Sequence, residues 1–155
     1  MKFQLVEFAG LTLRGIREDC AGGAAERFRQ ELAMWRKDQD DLLTRICQEI
    51  PGTWYGLWDK GRYWIAKPET EAIQDETETV SIPAGTYAVF TTERGGMAGD
   101  ELRRLREQIF DSWLPSSGYR QVGDMEVEVY HLYPLQPNEE RLKRYYELWI
   151  PVVEA

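Results

Sequence analysis

Apolar residues alternate with polar ones, or run unbroken, from Phe3 to Ile16 around Gly10, a pattern that predicts one strand or two short ones bent at the glycine. After the Gly22-Gly23 break the period changes. From Ala24 to about Ile50 the apolar residues Phe28, Leu32, Trp35, Leu42, Leu43 and Ile46 recur at spacings close to three and four, while Glu26, Arg27, Arg29, Lys37, Asp40 and Asp41 fall mainly outside the stripe. This predicts an amphipathic helix, with Asp38 to Asp41 as a place for a local interruption and Pro51-Gly52 as its end. Thr53 to Trp58 and Arg62 to Ala66, joined by Asp59-Lys60-Gly61, predict a hairpin of high aromatic density. The acidic stretch Glu69 to Glu78 reads as a solvated connection or the polar start of the next strand.

The same order then returns. Thr77 to Thr92 is strand-like with a kink at Pro83-Ala84-Gly85, and Gly95-Gly96 breaks it. Asp100 to Leu114 predicts a helix with Leu102, Leu105, Ile109 and Trp113 on its apolar face, stopped by Pro115-Ser116-Ser117-Gly118. Met125 to Tyr133 alternates as a strand, Gln136 to Lys143 is a polar loop, and Tyr145 to Val153 closes the chain as the hairpin partner. Strand, helix, hairpin therefore occurs twice, in pseudo-repeats of about 1–74 and 75–155. The expected fold is a single α+β domain over 1–155: one mostly antiparallel sheet, two long helices on one face, and a central ligand cleft on the pseudo-twofold axis.

Composition narrows the function classes. No run of about 18 apolar residues exists, and Met1-Lys2-Phe3-Gln4 leads straight into a strand pattern instead of a signal peptide, so a cytoplasmic protein without a membrane segment is expected. The net charge of −8, from 19 basic and 27 acidic residues, disfavours direct nucleic-acid binding, and no basic DNA-reading helix precedes or follows the pattern, so no DNA-binding domain is expected. Cys20, Cys47 and the single His131 do not form a metal, redox or catalytic pattern, and neither metal nor cofactor is expected. Six Trp in an aromatic content of 12% suggest a ring-lined pocket beside an ordinary core.

The chemistry concentrates in Tyr145-Tyr146-Glu147-Leu148-Trp149-Ile150-Pro151-Val152, a β-favouring run with one acid inside it. Alternation puts Tyr145, Glu147 and Trp149 on one face. Facing a cavity, they offer a carboxylate between two π-faces, a receptor for an organic cation; facing outward, Glu147 belongs to an edge strand in water.

Four segments in register carry a family resemblance: Ser81-Ile82-Pro83-Ala84-Gly85-Thr86-Tyr87-Ala88-Val89-Phe90, Phe110-Asp111-Ser112-Trp113-Leu114-Pro115-Ser116-Ser117-Gly118-Tyr119, Glu128-Val129-Tyr130, and Tyr146-Glu147-Leu148-Trp149-Ile150-Pro151-Val152. Their order resembles the gyrase-inhibitor-like (GyrI-like) effector-binding domains of AraC-type and MerR-type multidrug-responsive regulators, which also occur free-standing. The first half resembles them in order of elements and in the aromatic hairpin Trp54-Tyr55-Gly56-Leu57-Trp58. The resemblance implies two strand-helix-strand-strand units, an aromatic pocket for drug-like lipophilic cations, and a buried glutamate on the final strand, which falls on Glu147.

The expected binding set is Glu147 as anchor with Tyr145, Trp149, Tyr130, Trp113, Phe90, Tyr55 and Trp58 as lining residues. Only one face of strand 53–58 can meet the pocket, and alternation leaves open whether it presents Tyr55 or Trp54 and Trp58. Two other readings stay open. One is a small-molecule hydrolase with Glu147 as base and Tyr130 or Tyr145 as acid. The other is a module acting through a protein partner, or a homo-oligomer joined through a sheet edge.

Overall fold

The computed structural model describes residues 2–20, 26, 27, 29–31, 33, 53–68, 77–96, 98–131 and 145–155. Nine strands lie among them: β1 (Phe3–Phe8), β2 (Leu11–Asp19), β3 (Trp54–Asp59), β4 (Arg62–Pro68), β5 (Glu78–Ile82), β6 (Gly85–Thr91), β7 (Tyr119–Gln121), β8 (Glu126–Tyr130) and β9 (Tyr146–Glu154). They pair in the order β1-β6-β9-β8-β3-β4-β2-β5, with β7 on β9, and every pairing is antiparallel. The order is symmetric about the β8–β3 seam. On each side a hairpin (β3-β4, β8-β9) abuts the strand that precedes its helix (β2, β6), and the two leading strands cross over, so that β1 pairs with β6 and β5 with β2.

The apolar run from Phe3 resolves into two strands because Gly10 turns the chain at φ +95°, a conformation that favours glycine. The aromatic hairpin turns at Lys60 and Gly61, both at positive φ, as a two-residue connection between twisted strands requires. Beyond the six helical positions described between 26 and 33, the predicted first helix lies outside the described residues, as do Cys47, the loop 136–143 and the junction near residue 75. No helix of the described residues is long and apolar enough to cross a membrane.

Both faces of the sheet are buried, by different means. One face carries Trp54, Trp58, Tyr63, Ile65, Phe90, Tyr130, Tyr146, Leu148 and Ile150, packed beneath Leu102, Leu105 and Ile109 of the helix Ala98–Gln108 and its continuation. The other carries Leu13, Leu57, Trp64, Ala66, Ile82, Tyr87, Val89, Val127 and Val129, with no helical residue among its described members. The sheet covers that face by curling on itself. Two-residue links join β1 to β2 and β5 to β6, pairs that stand far apart in the strand order, and so short a link requires the two ends to approach.

The second helix departs from the expected single span of 100–114. It is α-helical over Ala98–Gln108 and widens to a π-helix over Ile109–Trp113, closed by the Leu114 N–H donating to the Ile109 carbonyl, before a last turn at Leu114–Ser116. Pro115 gives the reason. It has no N–H to offer the carbonyl of residue 111, and its ring would crowd that carbonyl in a regular α-helix. The wider turn relieves the clash and keeps Ile109, Phe110 and Trp113 against the core.

One close approach sets the curl. A Cβ at Gly15 of β2 would overlap the Ile65 carbonyl and Ala66 of β4, atoms that cannot move without the sheet. Gly15→Ala is expected to lower the free energy of unfolding by about 3 kcal/mol, the upper range for overpacking, measured by urea denaturation; a change within about 0.5 kcal/mol, the neutral range of surface substitutions, would contradict this packing.

Candidate functional site

Strand β8 alternates Glu126, Val127, Glu128, Val129, Tyr130, and its valines enter the helix-free core. Its two acids and the tyrosine therefore face the helices. Glu128 is fully buried there, opposite Gly56 on one side and Leu148 on the other. Its Oε1 accepts hydrogen bonds from the hydroxyls of Tyr63 and Tyr130, each at 2.7 Å, and its Oε2 accepts one from an Arg106 guanidinium nitrogen at 3.1 Å. Glycine is required at position 56, because a Cβ there would collide with Glu128 Oε1 and the Tyr63 hydroxyl. Rings surround the carboxylate: Trp58 lies 4.8 Å from Tyr63 and Tyr146 lies 5.6 Å from Tyr130 between centroids.

Further charges complete the cluster. Arg106 Nε donates to Glu126 Oε1, and Arg27 donates to Glu126 Oε2 at 2.8 Å while stacking 4.3 Å over the Trp58 ring. Glu31, one helical turn beyond Arg27, is buried and hydrogen-bonds Glu128. Burial, then the Glu128 charge, pushes the Glu31 carboxyl well above the usual carboxylate range, which favours its protonated form as the donor to Glu128. Burial also works against an ionised Glu128. The Glu31 hydrogen bond, the Arg106 charge and the two tyrosine hydroxyls outweigh it and bring that carboxyl below its ordinary value. Burial and the Glu128 charge raise both phenols, which stay protonated as donors. The Glu31 Oε1 atom and the Trp58 indole N–H are buried without a hydrogen-bond partner among the described residues.

A cleft of about 770 Å³ opens beside this cluster, lined among others by Arg27, Arg106, Phe110, Glu126 and Gln121. Arg106 is the side chain that both borders the cleft and touches Glu128. Among the described residues, no group of three His, Cys, Asp or Glu is arranged to hold a metal ion.

The residues expected to line one pocket divide between the two faces. Tyr130, Trp58, Phe90 and Trp113 lie on the helix face with Glu128, and of strand 53–58 it is Trp54 and Trp58 that share this face. Tyr55 and Trp149 lie on the opposite face, and by strand alternation so does Glu147, whereas Tyr145, just before β9, borders a separate cleft with Glu101, Arg104, Leu105 and Gln108 of the helix. Glu147 is half-buried on that opposite face, where it accepts hydrogen bonds from the Trp149 indole at 3.2 Å and from His131. Burial raises its carboxyl, and the His131 hydrogen bond and charge, then Trp149, bring it below the usual value. Tyr145 stacks on His131 at 4.6 Å. Glu128, Glu126, Glu31 and Arg106 were not among the expected site residues. A signal existed for Arg106, which falls four after Leu102 and three before Ile109, squarely in the apolar stripe.

A family model described as integron-associated effector-binding protein (Cass2) matches residues 60–152. Among solved structures, the chain resembles SAV2435 bound to tetraphenylphosphonium at a TM-score of 0.75 and 20% identity, covering 99% of this chain and 94% of that one. It resembles an integron cassette protein from the mobile metagenome of Vibrio cholerae at 0.66 and 14%, covering 97% and 95%. It resembles a hydrolase from Listeria innocua at 0.51 and 12%, covering 98% and 92%. At these identities the likenesses show the fold. A comparison with curated proteins gives no match.

The shared proton has a consequence for stability. Below the ordinary glutamate range the folded and unfolded chains both hold the Glu31 proton; as pH rises the unfolded chain ionises first, so stability falls until the folded carboxyl also titrates. Glu31→Gln, whose amide N–H replaces the O–H as donor to Glu128, is expected to lose less thermal stability than the natural chain between pH 5 and pH 8, two conditions chosen as roughly bracketing the window in which such carboxyls titrate. Equal losses in the two proteins would show that Glu31 is not the proton carrier.

Proposed function

The chain belongs to the Cass2 family of integron-associated effector-binding proteins, and from that premise we propose that it binds small organic cations with aromatic or apolar groups at the Glu128 cluster. One observation carries this reading: a fully buried carboxylate, hydrogen-bonded by two tyrosine hydroxyls and Arg106 and walled by aromatic rings, beside a cleft of drug-like size. Rings give apolar area and π-faces to flat or globular ligands of many shapes, and the carboxylate favours those that carry positive charge. The tetraphenylphosphonium bound to the similar SAV2435 is a ligand of this class and supports the choice of probe.

Glu128 and Glu147 are rival anchors, since each is an acid beside rings and they lie on opposite faces of the sheet. Titration of tetraphenylphosphonium, followed by tryptophan fluorescence, separates them. Glu128→Gln is expected to weaken binding about tenfold or more, the equivalent of ~1.4 kcal/mol, and Glu147→Gln to leave it unchanged. The reverse result would move the site to the far face, and equal binding by all three proteins would remove the electrostatic part of the reading.

A second reading has one specific observation in its favour. Glu31 holds a proton next to an ionised Glu128, a pair of carboxyls whose environments push them apart as acid–base catalysis requires. The Listeria hydrolase has a related fold, which is consistent with hydrolytic chemistry on this scaffold. Turnover of strained or electrophilic small molecules that disappears in both Glu31→Gln and Glu128→Gln would favour this reading, and absence of turnover across such a panel leaves binding alone.

A further inference from the structure

Arg106 occupies a position that its neighbours would give to an apolar side chain. Leu102 and Ile109, four before and three after it, are both buried in the core. Its guanidinium spans the two inward carboxylates of β8, with Nε on Glu126 and a terminal nitrogen on Glu128. The side chain remains 19% exposed, on the wall of the 770 Å³ cleft. A cation that enters this cleft meets Arg106 on its way to Glu128.

We propose that Arg106 is an internal cation that competes with the ligand for the Glu128 carboxylate, so that ligand binding exchanges one cation for the other. The inference rests on Glu128 being the anchor of the ligand site. The groups Arg106 would leave are provided for without it. Glu126 keeps Arg27 at 2.8 Å, and Glu128 keeps the hydroxyls of Tyr63 and Tyr130 and the hydrogen bond of Glu31. A displaced guanidinium also has acids to turn to, because Glu107, Asp111 and Asp124 line the same cleft, alongside Arg29 and Arg103. The helix that carries Arg106 passes into the π-helical segment three residues later, where its backbone bonding is already irregular. Burial opposes the guanidinium charge, and its acidic neighbours, Glu126 first, favour it more strongly, so the competitor is a permanent cation.

Competition of this kind explains how a buried carboxylate selects among cations. A small hydrated ion offers Glu128 less than the two-point guanidinium contact it would replace. A lipophilic organic cation adds contacts with Phe110 on the cleft wall and with the rings around Glu128, which a small ion does not make, and can win the exchange. Arg106 therefore sets a threshold that charge alone does not pass.

The test is a tetraphenylphosphonium titration of the natural chain, Arg106→Lys, Arg106→Met, Glu128→Gln and the double variant Arg106→Met with Glu128→Gln, with circular dichroism as the check on folding. Lysine keeps the charge and loses the fork, so binding should tighten about threefold; methionine removes the competitor, and binding should tighten about tenfold. In the Glu128→Gln background the methionine substitution should give no gain. Equal or weaker binding by the folded Arg106 variants, with Glu128→Gln still impaired, would overturn the exchange and leave the ligand site standing. Unimpaired binding by Glu128→Gln would overturn the ligand site and the exchange together. If Arg106→Met does not fold, Arg106→Lys decides by the same criterion.

Discussion

Keeping one carboxylate ionised in the middle of an aromatic core is the constraint to which the rest of the structure responds. The effective penalty for burying an ion in a protein is several kcal/mol, and it is offset only by hydrogen bonds and opposite charge with good geometry. Glu128 obtains these from four separate parts of the chain. β4 supplies the Tyr63 hydroxyl, β8 itself supplies Tyr130, the helix Ala98–Gln108 supplies Arg106, and the helical residues near 30 supply Glu31. β3 contributes the lack of a side chain at Gly56. The strand order makes this convergence possible, since β8 and β3 meet at the pseudo-symmetry seam and both halves of the chain reach the same point.

That seam also explains how much of the molecule is legible in the sequence. Strand runs, the turn at Asp59-Lys60-Gly61, the stripe Leu102, Leu105, Ile109, Trp113 and the mostly antiparallel sheet follow from periodicity, because each has one local cause. The face that each strand turns towards the helices does not follow. In a sheet with one wet side, alternation of Glu and Val on β8 would send the valines inward and the acids to water. Here the curl buries the valines in one core and the helices bury the acids on the other side, so the same alternation describes two buried faces. The acid of β9 was conspicuous because it interrupts an apolar run, and the acids of β8 were not, because alternation made them look ordinary.

The family match and the site geometry carry different parts of the picture. The family establishes an effector-binding protein, and the matched residues 60–152 contain β8 and the Arg106 helix in full and β9 as far as Val152. Glu31 and Arg27 lie before that segment. The second carboxyl of the pair and the second guanidinium therefore come from the part of the chain that the family model does not match.

Charge balance sharpens what occupation of the site entails. With Glu31 protonated, the carboxylates of Glu126 and Glu128 are matched by the guanidiniums of Arg27 and Arg106. The cluster is neutral as it stands, and a cation added to it would leave an uncompensated positive charge in surroundings of low polarity, which is costly. Neutrality returns if one positive charge leaves as the ligand arrives. Two are available: the guanidinium of Arg106, which already borders the cleft, and the proton of Glu31, whose release would turn a hydrogen-bond donor into a second carboxylate beside Glu128. The first route costs a two-point contact that the ligand can partly replace. The second sets two carboxylates side by side and calls for a ligand that offers charge or N–H groups to both. On the binding reading proposed above, a quaternary cation, which has no N–H to offer, would favour departure of the arginine.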